Sequence, residues 1–422
     1  MATALSSVGV TFQRAVNQVG QKYGGSSICA APNRRSTIPK PQRVCCAVQE
    51  TATASNTATR RTFIQGSIST GLAAVYGGLL LPPGPVNALE DVVPGSSSKN
   101  IIITGSNSGI GFAGALQLAA AGNQVFLACR TLAKAQAAKE EIEAELAKQG
   151  KTGRVTPVEC DMADMASIRK FAADWKASGE TLDVLVCNAG VQFSGEAVPR
   201  RTKDGFELTV GTNHLGHFLL TNLLLEDLER TPGARIVVTA SEVHDPASSG
   251  GQVGSPAGLG DLNGFATMGA TFDMVDGTPF DSDKAYKDSK LCNVLFAEEL
   301  QRRLAAKGSG VTVNAFGPGL ITRTNFFRYQ NPVFVKVFDF ATNDIFHVAE
   351  TVEGGGRCLA YMAADPALEG RGGLYLNNNI NFGVQGNHEF IEFDPSEEAR
   401  NQAEAKTLWQ FSADLVGLPS TI

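Results

Sequence analysis

Tyr286 and Lys290 are two residues that could together move a proton, because a spacing of four places both side chains on one face of a helix. A phenol in water ionises only near about pH 10, and an ammonium group one turn away stabilises the phenolate and lowers that pKa. The pair therefore predicts general acid catalysis by Tyr286 with Lys290 as its modulator. The alternative interpretation is a pair of side chains on a solvated helix face.

A glycine-rich segment follows the first predicted strand and precedes a predicted helix. Glycines at such a turn let the backbone approach a pyrophosphate closely, and the helix N-terminus supplies N–H groups and partial positive charge. The spacing is GxxxGxG, and a tight turn without a ligand is the alternative. The predicted dinucleotide-binding residues are Gly105, Ser106, Asn107, Gly109, Ile110 and Gly111.

Further candidate cofactor contacts follow the next three predicted strands, at the edge where doubly wound sheets bind ligands. Arg130, helped by Ser106 and Asn107, stands where an acidic residue would select NAD, so we predict contact with a 2′-phosphate and hence NADPH. The alternative for Arg130 is a solvated side chain. Asp161 is predicted to meet the adenine. The other predicted cofactor contacts are Met162, Asn188, Ala189, Gly190, Tyr286 and Lys290, of which Lys290 is predicted to hold the ribose hydroxyls.

The elements that must position these residues alternate between short apolar runs and helix-length segments. This alternation predicts a doubly wound parallel α/β sheet in a single domain, residues 98–422. The predicted strands are Asn100–Thr104, Gln124–Cys129, Val155–Cys160, Val184–Asn188, Arg235–Thr239, Val311–Phe316 and Gly373–Leu376. The predicted helices include Leu132–Gln149, Met165–Ser178, Glu207–Glu229 and Lys284–Leu304.

With these motifs in this order, and with Pro318-Gly319 after the last catalytic helix, the body resembles the short-chain dehydrogenase/reductase superfamily. That resemblance implies a Rossmann-type fold and a nicotinamide cofactor. It implies Ser241 as the group that orients a substrate oxygen, Tyr286 as proton donor, Lys290 as modulator and Asn213 as part of a proton relay. It also implies that Pro318, Gly319 and Ile321 shape the nicotinamide pocket.

Three segments, residues 205–220, 285–293 and 408–418, resemble the light-dependent protochlorophyllide oxidoreductases, a family of chlorophyll biosynthesis. The Asn-rich run 377–379 and the long stretch between Ser241 and Tyr286 agree with it, and such insertions are often lids or substrate clamps. The chain departs from this family at Leu320, where the family carries a Cys tied to its photochemistry. It departs again at Arg323, which leaves Thr322 or Thr324 to contact the nicotinamide carboxamide.

The resemblance implies hydride transfer from NADPH and proton transfer from Tyr286 to the C17–C18 double bond of a plastid tetrapyrrole, a bulky apolar substrate. One alternative is a light-independent enzyme of the same superfamily that acts on a carbonyl or alcohol of a plastid carotenoid, retinoid-like molecule or lipid. Another is a non-catalytic pigment- or NADP-binding thylakoid protein. Retention of Ser241, Tyr286 and Lys290 favours an enzyme.

The first 88 residues differ in charge from the remainder, with a net charge of +7 against −13 for residues 89–422. Residues 1–58 have the composition of a chloroplast transit peptide. Residues 59–88, with Arg60-Arg61 before an apolar run and Val86-Asn87-Ala88 at its end, resemble a twin-arginine signal for the thylakoid lumen, and 89–97 are a linker. The alternative is one long transit peptide whose apolar run lies on the thylakoid membrane, with the body in the stroma.

The body is too acidic to favour nucleic acid as a partner. Its five cysteines are scattered and form no CxxC pair, so neither a zinc site nor a disulfide framework is predicted. His214 and His217 lie three apart with no third ligand in view. We interpret both as packing residues near Asn213 and predict no metal site.

Overall fold

The computed structural model describes residues 86–87, 98–267, 272–324, 332–345, 349–380 and 388–421. Within these residues one sheet of nine strands forms, in the order β1-β9-β8-β7-β6-β5-β2-β3-β4. The strands are β1 Val86–Asn87, β2 Asn100–Thr104, β3 Gln124–Cys129, β4 Arg154–Glu159, β5 Val184–Cys187, β6 Arg235–Thr239, β7 Thr312–Gly317, β8 Tyr375–Ile380 and β9 His388–Glu392.

Helices cover both faces of the sheet, with α9 packed on α1 and α10 packed on α7. The helices are α1 Gly109–Ala120, α2 Leu132–Lys148, α3 Met165–Ser178, α4 Leu208–Val210, α5 Gly216–Glu229, α6 Asn263–Ala266, α7 Ser282–Ala306, α8 Pro332–Phe340, α9 Val352–Ala364 and α10 Gln402–Val416. No helix among the described residues combines the length and the apolar character needed to cross a bilayer.

The central strands are apolar throughout because both of their faces are covered. Ile102 packs in one apolar cluster, whereas Ile101 and Ile103 pack in the other, as expected when successive side chains point to opposite faces. The strand order reverses at β2, which lies between β5 and β3. The crevice at the carboxyl ends of β2 and β5 is therefore the place where a doubly wound sheet binds its ligand.

The predicted doubly wound α/β fold is confirmed, and β2, β3 and β6 have the bounds predicted for them. The sheet is not purely parallel, because β9 pairs antiparallel with both β8 and β1. Only seven residues separate β8 from β9 in the sequence, and a parallel neighbour would need a crossover of about a dozen or more residues. The predicted transit peptide and linker lie outside the described residues, as does the signal segment apart from Val86 and Asn87.

One predicted helix begins at a different residue in the structure, and another is interrupted in its middle. Helix α7 begins at Ser282, two residues before the predicted start, because Asp281 caps it by accepting hydrogen bonds from the N–H groups of Asp283 and Lys284. The predicted helix 207–229 is interrupted by a π-turn, Gly211–Leu215, that separates α4 from α5. This π-turn contains Asn213.

Candidate active site

The glycine-rich turn lies in the crevice at the carboxyl end of β2. Gly105 has a φ of +68°, and a Cβ there would lie 2.8 Å from the Cα of Ala189. A Cβ on Gly111 would lie 2.5 Å from Nδ2 of Asn188. Ser108 occupies the N-cap of α1 without a side-chain cap bond. Glycine is thus required where the turn meets the residues after β5, and the first N–H groups of α1 remain for an anion.

Thr104 joins this turn to the residues after β5. Its hydroxyl accepts hydrogen bonds from the N–H groups of Asn188 at 2.8 Å and Ala189 at 2.9 Å. Nδ2 of Asn188 donates to the carbonyl oxygen of Thr104 at 2.8 Å, whereas Oδ1 of Asn188 is buried without a hydrogen-bond partner. A glycine cradle beside an unpaired acceptor fits a dinucleotide, whose hydroxyl and amino groups can donate to that oxygen.

The residues predicted to select the adenosine end lie where expected, with one difference. Arg130 is exposed directly after β3, and Asp161 follows β4, where its Oδ1 accepts from the N–H of Ala163 at 3.0 Å. Ser106 is fully buried, with its hydroxyl 3.6 Å from the sulfur of Cys129. Its hydroxyl therefore does not help Arg130 at the surface. Met162 is also buried, with its carbonyl oxygen packed against Gly216.

Ser241, Tyr286 and Lys290 meet at the carboxyl end of β6. Burial raises the pKa of Tyr286 above its usual value, and a hydrogen bond with the side chain of Ser241 opposes that rise. Burial lowers the pKa of Lys290 to about 8. Its Nζ donates to the carbonyl oxygen of Thr239 at 3.0 Å and lies 5.7 Å from the centre of the Tyr286 ring. At neutral pH the site therefore holds a phenol and an ammonium group.

Burial is the largest influence on the Tyr286 pKa in the structure, and the lowering of that pKa by Lys290 stays a prediction. A raised pKa keeps the phenol protonated, which is the state that a proton donor requires before reaction. The nearby ammonium group works against this rise, because it stabilises the phenolate that forms when the proton leaves.

Asn213 lies beneath these groups in the π-turn. Its Oδ1 accepts from the N–H of Val191 at 2.8 Å, and its Nδ2 donates to the hydroxyl of Ser289 at 3.0 Å. Ser289 in turn donates to the backbone oxygen of Tyr286 at 2.6 Å. Asn213 is therefore tied to the start of the catalytic helix through a residue that the sequence analysis did not select. A π-turn at this point is typical of functional sites.

The Pro318-Gly319 turn is held from behind by two residues of later elements. Nδ2 of Asn378 donates to the carbonyl oxygen of Pro318 at 3.1 Å and to Oε2 of Glu350 at 2.9 Å. The N–H of Glu350 donates to the carbonyl oxygen of Leu320 at 2.7 Å. From the sequence alone, the Asn-rich run 377–379 stands out only as a feature of the resemblance. Glu350 could not be selected from the sequence, because no local pattern distinguishes a single buried Glu.

The two threonines offered as carboxamide contacts differ in their surroundings. The hydroxyl of Thr322 donates to Oδ1 of Asp339 at 2.6 Å, and Arg323 is exposed and ion-paired with Asp339 and Asp344. Thr324 lies beside the glycine-rich turn, since a Cβ on Gly109 would be 3.6 Å from its methyl group. Ile321 packs against Gly355 of α9 with Ile110. Thr324 is thus the threonine better placed to face a cofactor.

The insertion, residues 242–285, is tied to the catalytic helix by side chains on either side of Tyr286. Nζ of Lys287 donates to the carbonyl oxygen of Gly251 at 2.9 Å, and Lys284 donates to that of Gly258 at 2.6 Å. Asp288 accepts from the N–H of Gly258 at 3.0 Å, and burial raises its pKa to about 7 against the opposing Lys284 ammonium. The described part of the insertion, here called the insertion wall, is therefore anchored to the catalytic helix on both sides of Tyr286.

Replacing Lys287 by Met is expected to loosen this wall, because the carbonyl oxygens of Gly251 and Val253 lose a charged donor at a cost of about 1–3 kcal/mol. Backbone hydrogen exchange in residues 245–260 should accelerate. The KM for the substrate that is reduced should rise, while the affinity for the cofactor stays unchanged. Lys307→Met, which removes an exposed ion pair with Glu229, is the matched control. Equal hydrogen-exchange rates in the two variants would contradict the anchoring of the insertion by Lys287.

The two histidines of the π-turn region are both buried but have different neighbours. His214 contacts the hydroxyl of Ser412 on α10 at 2.8 Å, in agreement with a packing role. His217 instead lies between Thr104 and Asn213, with Nε2 at 2.8 Å from the Thr104 hydroxyl and Nδ1 at 2.9 Å from the Asn213 carbonyl oxygen. The interpretation of His217 as packing alone is therefore incomplete.

Comparison with known proteins places this site in a family. The sequence profile of the short chain dehydrogenases matches residues 99–253. The chain is 38% identical over 336 residues to the chloroplastic protochlorophyllide reductase of Chlamydomonas reinhardtii, covering 79% of this chain and 81% of that protein. It is 35% identical over 400 residues to the chloroplastic protochlorophyllide reductase of Marchantia paleacea, covering 88% of this chain and 84% of that protein.

Solved structures agree on the fold. A crystal structure of an uncharacterised protein from Mycobacterium Paratuberculosis has a TM-score of 0.56 and 28% identity, covering 80% of this chain and all of that one. A short-chain type dehydrogenase/reductase from Mycobacterium marinum has a TM-score of 0.50 and 21% identity, covering 71% of this chain and 98% of that one. The relatives' chloroplastic character supports a chloroplast location. The chain belongs to the short-chain dehydrogenase/reductase superfamily, in the family of the protochlorophyllide reductases, and is an oxidoreductase that uses a nicotinamide cofactor.

Proposed function

We propose that this protein reduces the C17–C18 double bond of protochlorophyllide, a bulky apolar pigment, with NADPH as the reductant and Tyr286 as the proton donor. The observation that carries the proposal is the placement of Tyr286, hydrogen-bonded to Ser241 and 5.7 Å from the Lys290 Nζ, at the sheet edge where the glycine-rich turn lies. The names and the extent of the matched relatives support the substrate.

When bound, NADPH supplies the hydride for one carbon of the double bond. Residues of the chain protonate the other carbon and position the two reactants. Tyr286 gives its proton to the second carbon, and its phenolate is stabilised by the nearby Lys290 ammonium until a proton returns from solvent. Ser241 and the insertion wall orient the pigment. The glycine-rich turn, Asn188 and the Pro318-Gly319 turn hold the dinucleotide.

The preference for NADPH over NADH rests on Arg130, and Arg130→Asp is expected to reverse it. An anion at this position repels the 2′-phosphate and can accept hydrogen bonds from the ribose hydroxyls of NADH. We expect the Kd for NADPH to rise by at least about tenfold, with the Kd for NADH unchanged or lower. Fluorescence titration measures both. Lys148→Asp makes the same charge change at the far end of α2 and should leave both Kd values alone.

The direct test mixes the full chain with NADPH and protochlorophyllide and follows pigment absorbance in the dark and after a flash. Conversion after the flash alone supports the light-dependent reaction. Conversion in the dark as well supports a light-independent reduction of the same pigment, a second candidate that is favoured by Leu320 at the position where the related family carries a Cys. An unchanged spectrum under both conditions would rule out this pigment as the substrate.

We further propose that residues 1–58 direct the chain to the chloroplast and that residues 59–88 carry it to the thylakoid lumen. Paired Arg60-Arg61 and the small residues at 86–88 support the second step. Cleavage after Ala88 would remove β1, which pairs Val86 with Phe390 at the sheet edge. Import into isolated chloroplasts followed by protease protection tests the compartment, and a stromal or membrane-surface product would overturn the lumen step.

A further inference from the structure

The Thr104 hydroxyl is the first link of a buried hydrogen-bond chain that leaves the cofactor crevice. It accepts from the N–H groups of Asn188 and Ala189, and its single proton points to one of two acceptors. One is Nε2 of His217 at 2.8 Å, and the other is the carbonyl oxygen of Val186 at 3.3 Å. The shorter contact is with His217.

His217 is held in one tautomer by its two neighbours. Nδ1 faces the carbonyl oxygen of Asn213 at 2.9 Å, which can only accept, so Nδ1 carries the proton and Nε2 accepts from Thr104. Burial, reinforced by the Lys290 ammonium, lowers the pKa of His217 to about 4. The imidazole is therefore neutral over the physiological pH range and can make both bonds at once.

Beyond His217 the chain reaches the catalytic helix. Asn213 receives the His217 bond at its backbone oxygen, while its side chain donates to Ser289 at 3.0 Å. Ser289 donates to the backbone oxygen of Tyr286 at 2.6 Å. These hydrogen bonds, joined through the covalent frame of Asn213, thus link the dinucleotide turn to the backbone of Tyr286.

We propose that His217 is a positioning residue that fixes the dinucleotide-binding turn against the Asn213–Tyr286 side of the site through its bonds to Thr104 and Asn213. The inference rests on the proposed hydride transfer, since its purpose is to hold the cofactor at a set distance from the proton donor. It gives His217 a role that its equally buried neighbour His214 lacks, because His214 bonds to α10.

The test compares His217→Leu, His217→Gln and His214→Leu by NADPH fluorescence titration, turnover and thermal unfolding. His217→Leu removes the nearer acceptor of the Thr104 hydroxyl proton and the side-chain donor to the Asn213 carbonyl oxygen, and we expect the Kd for NADPH to rise and kcat to fall by at least about tenfold each. The Gln amide can donate and accept, so His217→Gln should recover most of both losses. His214→Leu should lower Tm without changing Kd or kcat.

An unchanged NADPH Kd and kcat in folded His217→Leu, with only Tm lowered as in His214→Leu, would overturn the proposal. If His217→Leu does not fold, His217→Met decides the question, because Met matches the length of Gln but cannot donate a hydrogen bond to the Asn213 carbonyl oxygen. A weaker NADPH affinity in His217→Met than in His217→Gln supports the proposal, and equal affinities contradict it. NADPH titration needs no pigment, so a wild type that fails to reduce protochlorophyllide would overturn the proposed substrate while leaving this test intact.

Discussion

Replacing Tyr286 by Phe is expected to reduce turnover by about a hundredfold to ten-thousandfold, the range that a positioned general acid contributes. The change removes one oxygen from a side chain whose ring remains in place beside Lys290. The proton donor is lost, whereas the glycine-rich turn and Arg130 are untouched. NADPH should therefore bind with a Kd within about threefold of the wild-type value.

The control for Tyr286→Phe is a tyrosine outside the site, and Tyr361 of α9 serves because it packs on Phe390. Tyr361→Phe should leave both turnover and NADPH affinity at wild-type values. Turnover of Tyr286→Phe equal to that of Tyr361→Phe would contradict the assignment of Tyr286 as proton donor. Loss of NADPH binding in Tyr286→Phe would show instead that the hydroxyl serves the cofactor.

Replacing Gly111 by Ala is expected to have the second large effect, on cofactor binding and on stability. The new Cβ would lie 2.5 Å from Nδ2 of Asn188 and 2.7 Å from the carbonyl oxygen of Gly105. Alanine is favoured over glycine in a helix by at most about 1 kcal/mol, whereas the steric overlap costs about 1–3 kcal/mol. The net effect of Gly111→Ala on the free energy of unfolding is therefore a loss of stability. Moving Asn188 away would break its bond to Thr104.

We therefore expect Gly111→Ala to lower Tm and to weaken NADPH binding by at least about tenfold. Gly310→Ala is the matched control, because a Cβ there has nothing within 4 Å. Calorimetry and fluorescence titration measure the two effects separately. Wild-type NADPH affinity in Gly111→Ala would show that the crevice at this turn does not hold the dinucleotide.

The central sheet could be predicted from the sequence because buried parallel strands are short, apolar and separated by helices. β2 and β3 have the predicted bounds for this reason. β9 and β1 could not be predicted in the same way. β9 lies at the polar edge region of the sheet, and β1 has only two residues, too few for any periodicity.

The site residues also fall into two groups, those that a local sequence pattern identifies and those that only long-range contacts bring to the site. Gly105, Gly111 and Tyr286 stand in local patterns with a chemical meaning, and these patterns sufficed to select them. Contacts between residues distant in the chain have no such signature. Lys287 meets a carbonyl 36 residues away, and Thr104 meets His217 across 113 residues. Only the fold brings these partners together.

The π-turn is a further case, because Gly211, Thr212 and Asn213 are weak helix formers but no sequence pattern identifies a π-turn, yet the turn determines where Asn213 lies. The burial of the Ser106 hydroxyl is another feature that the sequence did not reveal. Its place in the glycine-rich segment indicated a ligand contact, but the side chain at this position points to Cys129 rather than to the crevice.

The most direct test of the account is the fate of the transferred hydride. The full chain is incubated with protochlorophyllide and NADPH that carries deuterium at the transferable position of the nicotinamide, and the pigment is analysed by mass spectrometry. The account predicts one deuterium in the reduced pigment from wild type and no reduced pigment above trace from Tyr286→Phe. Reduced pigment without deuterium from the wild-type protein would contradict hydride transfer at this site.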